Sequence, residues 1–197
     1  MAYTGVILAF DLAGTTGYAE GCPGERPTFE KKLFAADENG EIIDYAAKAI
    51  TFVAQRIQAP RFIGNRSYGL GEAANEGMVR VVIEAPIRGL MKNRNANSHE
   101  MSLGLYAAVG GFARGRGVMV RPIAVSTVRK HFIGNGGSVA PNDPKKLAKA
   151  MCNLLGWDPP NLDCADAGAC WHWASAQWNF EATPIVASLY SRLPWKG

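Results

Sequence analysis

Residues 6–19 read VILAFDLAGTTGYA. Val6 to Phe10 form an unbroken apolar run, and Asp11 closes it. A short apolar run bounded by turn residues is the mark of a buried strand. Gly14 then turns the chain and a second apolar-aromatic stretch follows, which predicts a hairpin with strands at about 5–11 and 17–21. A carboxylate at the end of a buried strand loses its hydration. It needs a cation, a set of hydrogen-bond donors or a metal ion in return.

Outward from this hairpin, the pattern predicts one α/β domain, with strands first and then strands interleaved with helices. A third strand is expected at Phe29–Ala35, and a helix at Glu41–Gln58 from the spacing of Ile42, Tyr45, Ala46, Ala49, Ile50 and Val53. The stretch at about 61–78 is rich in Gly and Asn and reads as a long, mobile loop or insertion. Val79–Ala85 is a further buried strand, ended by Pro86. A helix over Asn97–Arg114 carries Met101, Leu105, Ala108 and Phe112 on one stripe. Gly104, Gly110 and Gly111 weaken it unless another backbone packs close. Val118–Ala124 is the next strand, and Ser126 is a plausible N-cap for a short helix bearing Arg129 and Lys130. After the loop Gly134–Asn142, the Asp143-Pro144 pair starts a helix that Gly156 stops. Pro159-Pro160-Asn161 opens a last helix at about 162–178. The domain is expected to span 1–182, followed by a C-terminal tail at 183–197.

The chain has 197 residues, enough for one domain with a sizeable core. No run approaches the ~18 apolar residues of a membrane span, and the start lacks the basic region of a signal peptide. A cytoplasmic protein without a membrane partner is expected, in a bacterial cell or in the host cytoplasm if phage-encoded. Cys22, Cys152, Cys164 and Cys170 follow no secreted framework, so reduced thiols are expected. The net charge is +4, with basic clusters at Arg88-Lys92-Arg94, Arg114-Arg116-Arg121, Arg129-Lys130-His131 and Lys145-Lys146-Lys149. A polyanionic partner fits that distribution, as does solvated surface charge.

Three more carboxylates share the unusual setting of Asp11. Glu84 closes the run VRVVIE, and Asp163 and Asp166 stand in a helix otherwise nearly free of charge. Their three-residue spacing puts Asp163 and Asp166 on one helical face, where they repel unless a cation bridges them. Each acid alone has a structural explanation, as a turn former, an edge residue or a partner of the helix dipole. Together they make a set of hard oxygen donors suited to Mg²⁺. Two such ions about 4 Å apart clamp the attacking and leaving oxygens of a phosphodiester displacement. Cys164, Cys170 and His172 lack the spacing of a zinc site, and His172 lies across the helix from Asp163. His99 and His131 read as surface or phosphate-contacting groups. Trp171, Trp173, Trp178 and Phe180 read as core or interface, and Tyr68 beside Arg66 as a loop residue with some claim to a DNA contact.

In order, these segments resemble the RuvC-like Holliday-junction resolvases of the RNase H superfamily. ILAFDLAGTTGYA is similar to that family's first hairpin and VVIEAP to its second acidic strand. MKNRNANSHEMSLGLYAAVGGF resembles the following helix, VSTVRKHFIGNGG the basic segment before a glycine loop, and DCADAGACWHWA the closing DxxD helix. The resemblance implies an RNase H-like mixed sheet flanked by helices. It also implies a homodimeric endonuclease that nicks four-way and, on a wider reading, other branched DNA symmetrically. Asp11, Glu84, Asp163 and Asp166 would be the catalytic ligands of two Mg²⁺ ions, with Mn²⁺ able to substitute. The implied DNA contacts are Arg129, Lys130, Lys145, Lys146, Arg88, Lys92, Arg94, Asn97 and Ile87. The family's bacterial members carry an aromatic wedge three residues after the second acid. Here that residue is Ile87, and an apolar side chain can still enter a base step. The insertion before Met78 and the extra residues SVAPNDP also depart from the family, as would suit a phage-encoded member. A less selective RNase H-like or flap nuclease, and a non-catalytic junction-binding protein, stay open. DLAGTTGYA also resembles the phosphate loop of sugar-kinase and actin-like ATPases. Those need a second such domain, which this sequence lacks, so no nucleotide cofactor is expected.

Overall fold

The computed structural model describes residues 3–34, 41–86, 96–134 and 143–178. Among these residues, seven strands and six helices follow one another as β1 (Val6–Asp11), β2 (Thr15–Gly21), β3 (Thr28–Leu33), α1 (Ile42–Gln58), β4 (Arg61–Ile63), β5 (Arg66–Tyr68), α2 (Glu72–Asn75), β6 (Val79–Ala85), α3 (Ala96–Gly115), β7 (Met119–Ala124), α4 (Val125–Ile133), α5 (Pro144–Leu154) and α6 (Leu162–Trp178). Five strands form a mixed sheet in the order β3-β2-β1-β6-β7. The β1–β2 and β2–β3 pairs are antiparallel, and the β1–β6 and β6–β7 pairs are parallel. This is the expected RNase H-like architecture of a mixed sheet flanked by helices.

Strand alternation sorts the core into two layers. Val6, Leu8 and Phe10 of β1 join Val81 and Ile83 of β6 in a cluster with Phe52 and Val53 of α1 and Leu105 and Val109 of α3. Ile7, Ala9 and Val82 face the other way, onto α4, α5 and α6 through Val128, Phe132, Cys152, Cys170 and Trp171. The same alternation puts Asp11 and Glu84 on the α6 side of the sheet. Because Phe10 pairs with Ile83 in the parallel β1–β6 ladder, the two acids end adjacent strands side by side.

The segment at 61–78 is not a structureless loop. Its Arg61-to-Tyr68 stretch is a two-stranded hairpin that turns at Gly64, whose φ of 57° lies in the left-handed region. One helical turn, α2, follows. Arg61 ties the hairpin to the main sheet: its guanidinium pairs with the Glu20 carboxylate and donates to the Arg56 carbonyl. Tyr68 is buried, and Arg66 reaches Glu72 at 2.8 Å and Glu76 at 2.7 Å. Burial takes Tyr68 out of the DNA contact considered for it. Ser126 is not a cap either. The chain leaves β7 directly into α4, so Ala124 takes the N-cap position without a side-chain hydrogen bond and Ser126 falls in the first turn. Helix α3 stays continuous through its glycines. At Gly104 a Cβ would meet the Ile42 side chain of α1 at 2.8 Å, so a side chain, not a backbone, occupies the space. Among the described residues, no helix is long and apolar enough to cross a membrane.

Candidate metal and phosphate site

The turn after β1 is held by Thr16, which is fully buried. Its hydroxyl donates to the Ala13 carbonyl at 2.8 Å and accepts from the Ala13 amide at 3.2 Å. This fixes the end of β1 and with it the backbone of Asp11. Directly across the ladder from Asp11 sits Gly17. A Cβ on Gly17 would collide with the backbone carbonyl of Asp163. The missing side chain is what lets the start of α6 rest on β2 beside Asp11. Asn161 caps that start: its side-chain oxygen accepts from the Cys164 amide at 2.9 Å, and its Nδ2 approaches Asp163 at 3.4 Å.

From the other side comes α5. Asp143 caps it by accepting from the Lys145 amide at 3.0 Å, with Pro144 in the first turn, as the Asp-Pro pair predicts. The Lys145 ammonium donates to Asp163 Oδ1 at 2.8 Å and lies 3.3 Å from Asp166 Oδ2 and 3.4 Å from Asp11 Oδ2. Three acids from β1 and α6 therefore converge on one positive charge. Among the described residues, no three Asp, Glu, His or Cys side chains are gathered as a formed metal centre requires. The ammonium stands between the carboxylates instead.

The electrostatics record how crowded the acids are. Burial, then Asp11 and Asp166, pushes Glu84 up to about 8, while Arg129 and Lys145 pull it back. Burial also raises Asp11 to about 6 against the pull of Lys145, with Asp166 and Asp163 adding to the rise. Asp166 is raised too, mainly by burial, and Lys145 and Arg129 oppose this. Burial works against the Lys145 charge, but Asp11, Asp166 and Asp163 outweigh it and raise its pKa. Cys170, one turn beyond Asp166 on α6, is fully buried beside these acids. Burial and then Glu84, Asp11 and Asp166 hold its thiol far above the ordinary range. All four cysteines are free thiols.

The structure thus brings Asp11, Glu84, Asp163 and Asp166 together with Lys145 and Arg129. Lys130 and Lys146 are exposed neighbours on α4 and α5 and take no part in the acid cluster. Ile87, Arg88, Lys92, Arg94 and the tail at 183–197 lie outside the described residues, as does the side chain of Asn97. His131 is not a free surface group: its Nε2 lies 3.0 Å from Nδ1 of His172, tying α4 to α6. His172 is buried against Phe132 and Trp157. Trp171 and Trp173 are core residues. Sequence reasoning passed over Gly17 and Asn161 as parts of the site. Both carried a signal: a glycine inside a strand marks close backbone approach, and an Asn before a helix marks a cap.

Three carboxylates that already close on a cation, with Glu84 beside them, fit a hard divalent ion in the chemistry of their oxygens. No family profile matches the sequence, and no curated protein matches it. Solved structures do match in fold. Thermus thermophilus RuvC superposes with a TM-score of 0.57 at 16% identity, over 87% of this chain and 95% of that one. T. thermophilus RuvC in complex with Holliday junction substrate gives 0.56 at 12% identity, over 87% and 94%. The yeast mitochondrial Holliday junction resolvase Ydc2 gives 0.55 at 10% identity, over 98% of this chain and 86% of that one. The chain has the fold of these resolvases.

Proposed function

We propose that this chain is a metal-dependent endonuclease that resolves four-way DNA junctions by paired, symmetric nicks. The observation that carries the reading is the convergence of Asp11, Asp163 and Asp166 on one cation, with Glu84 beside Asp11 at the end of the neighbouring strand. A buried acid cluster of this kind destabilises the fold, so a function in binding cations explains it better than a structural role does. The shared fold with resolvases, one of them in complex with a junction, supports DNA as the substrate.

Asp11, Glu84, Asp163 and Asp166 would hold two Mg²⁺ ions, with Mn²⁺ able to substitute. When bound, such ions supply an activated water and charge stabilisation at the leaving oxygen. The chain's own cations do the rest. Arg129 lies close enough to Glu84 and Asp166 to oppose the rise of both, so its guanidinium stands near the acid cluster and would meet a backbone phosphate bound there. Exposed Lys130 and Lys146 extend that edge on either side and position DNA without reading its sequence. A four-way junction presents two equivalent strands, and two nicks related by symmetry need two sites, hence a homodimer.

A cleavage panel tests the reading. Labelled four-way junction, flap, fork, linear duplex and RNA–DNA hybrid are incubated with the protein and Mg²⁺. Paired nicks confined to the four-way junction are expected. Equal cutting of all branched substrates would replace the resolvase reading with a general branch nuclease, and cutting of the hybrid alone with an RNase H.

A further inference from the structure

Lys145 occupies a place that its own helix does not favour. It lies in the first turn of α5, where the helix dipole repels a cation. What holds it there is the set of three carboxylates at 2.8, 3.3 and 3.4 Å, contributed by two other elements. Its side chain is 37% exposed, so it is held at one end and open to solvent along part of its length. A lysine stem of four methylenes swings freely, and its ammonium is a compact point charge. A divalent ion on the same oxygens needs the space that Nζ fills.

We propose that Lys145 is an exchangeable counter-ion of this site. Before metal arrives its ammonium draws Asp11, Asp163 and Asp166 together. Metal entry expels it toward solvent, so a mobile cation appears at the mouth of the site only in the metal-loaded state. This rests on the reading of the four acids as metal ligands and adds a competition to it. The apparent metal affinity is lowered by the fraction of molecules in which the ammonium is parked on the acids. Metal loading and the release of a phosphate-seeking lysine become one event.

Two measurements on the full chain test this, with Mn²⁺ and Mg²⁺ as the probes. The first is Mn²⁺ binding by titration calorimetry to the metal-free protein and to Lys145→Met, which keeps the stem length and removes the charge. Removal of a resident competitor tightens binding, by about threefold or more. The second is lysine acylation followed by mass spectrometry on the unaltered chain, with exposed Lys130 as the internal reference. Lys145 is expected to be protected without metal and to react several-fold faster in Mg²⁺, with Lys130 unchanged. Equal or weaker Mn²⁺ affinity in Lys145→Met overturns the exchange while leaving the metal site standing, as does Lys145 acylation that ignores metal. If neither protein takes up Mn²⁺, the ligand assignment falls and the exchange falls with it.

Discussion

Glu84 shows at the scale of one residue what the site costs the fold. Its carboxyl is pushed up to about 8 by burial and by Asp11 and Asp166. A carboxyl whose pKa rises on folding contributes stability that is complete below its unfolded value and is lost as pH climbs through the folded one. For Glu84 that window runs from about 4.5 to about 8, and Asp11, raised to about 6, acts in the same direction. His172 has the opposite sign. Burial and His131 hold it down to about 3, so its contribution is whole above about 6.5 and is lost as pH falls toward 3. Between about 4.5 and 6 the two carboxyls outweigh His172, so metal-free protein should lose stability as pH climbs from about 4.5 to about 8 and, through His172, as pH falls toward 3. In a chelator-containing melting series, Glu84→Gln should flatten the alkaline loss. At pH 8 it should raise stability by on the order of 1–3 kcal/mol, while ending cleavage. A flat wild-type profile above pH 6 would contradict this view of the cluster.

At the scale of elements, the site depends on how closely α6 lies on β2. Gly17 pairs with Asp11 and leaves room for the Asp163 carbonyl. Gly17→Ala must push the start of α6 away, which should cost about 1–3 kcal/mol, in the range of other overpacked cores. Cleavage should fall by more than the lost stability explains, because Asp163 moves relative to Asp11. Denaturant unfolding beside junction cleavage below the melting transition would check both halves. Much of this scale was legible in the sequence. The apolar run ending at Asp11, the strand ending at Glu84 and the DxxD helix all form where the pattern placed them, because burial and period coincide there. The hairpin at Arg61–Tyr68 was not, since its strands are three residues long and what ties it to the main sheet is tertiary: Ile63 and Tyr68 in the core, and Arg61 reaching Glu20, forty-one residues earlier in the chain. Composition alone made it a loop. The choice between Lys145 and Lys146 was open as well, although the helix period held the answer. Lys145 stands three and seven residues before buried Ala148 and Cys152, on the face turned to the core, and Lys146 does not. The convergence of Lys145 on three acids is a tertiary fact that no local pattern carries.

At the scale of the whole molecule, a modest net charge of +4 conceals a division of labour. Four acids meet at the ends of β1 and β6 and the start of α6, and the neighbouring helices α4 and α5 carry Arg129, Lys130, Lys145 and Lys146. On the proposed function these basic residues would bind phosphate backbone by releasing counter-ions, so junction affinity should fall steeply with salt. Replacing Lys130 and Lys146 together by Ala should weaken binding to all junction sequences alike. It should also reduce the slope of log affinity against log salt by roughly 1–2, which filter binding across a salt series would measure. On the same proposal the acid cluster should behave differently, since its role would be in chemistry rather than in capture. The most direct test of that separation is Asp11→Asn assayed on one four-way junction in Mg²⁺, with cleavage and binding read from the same preparation. The account predicts a folded variant that binds the junction at least as well as the parent and leaves it uncut. Normal cleavage by Asp11→Asn would contradict it.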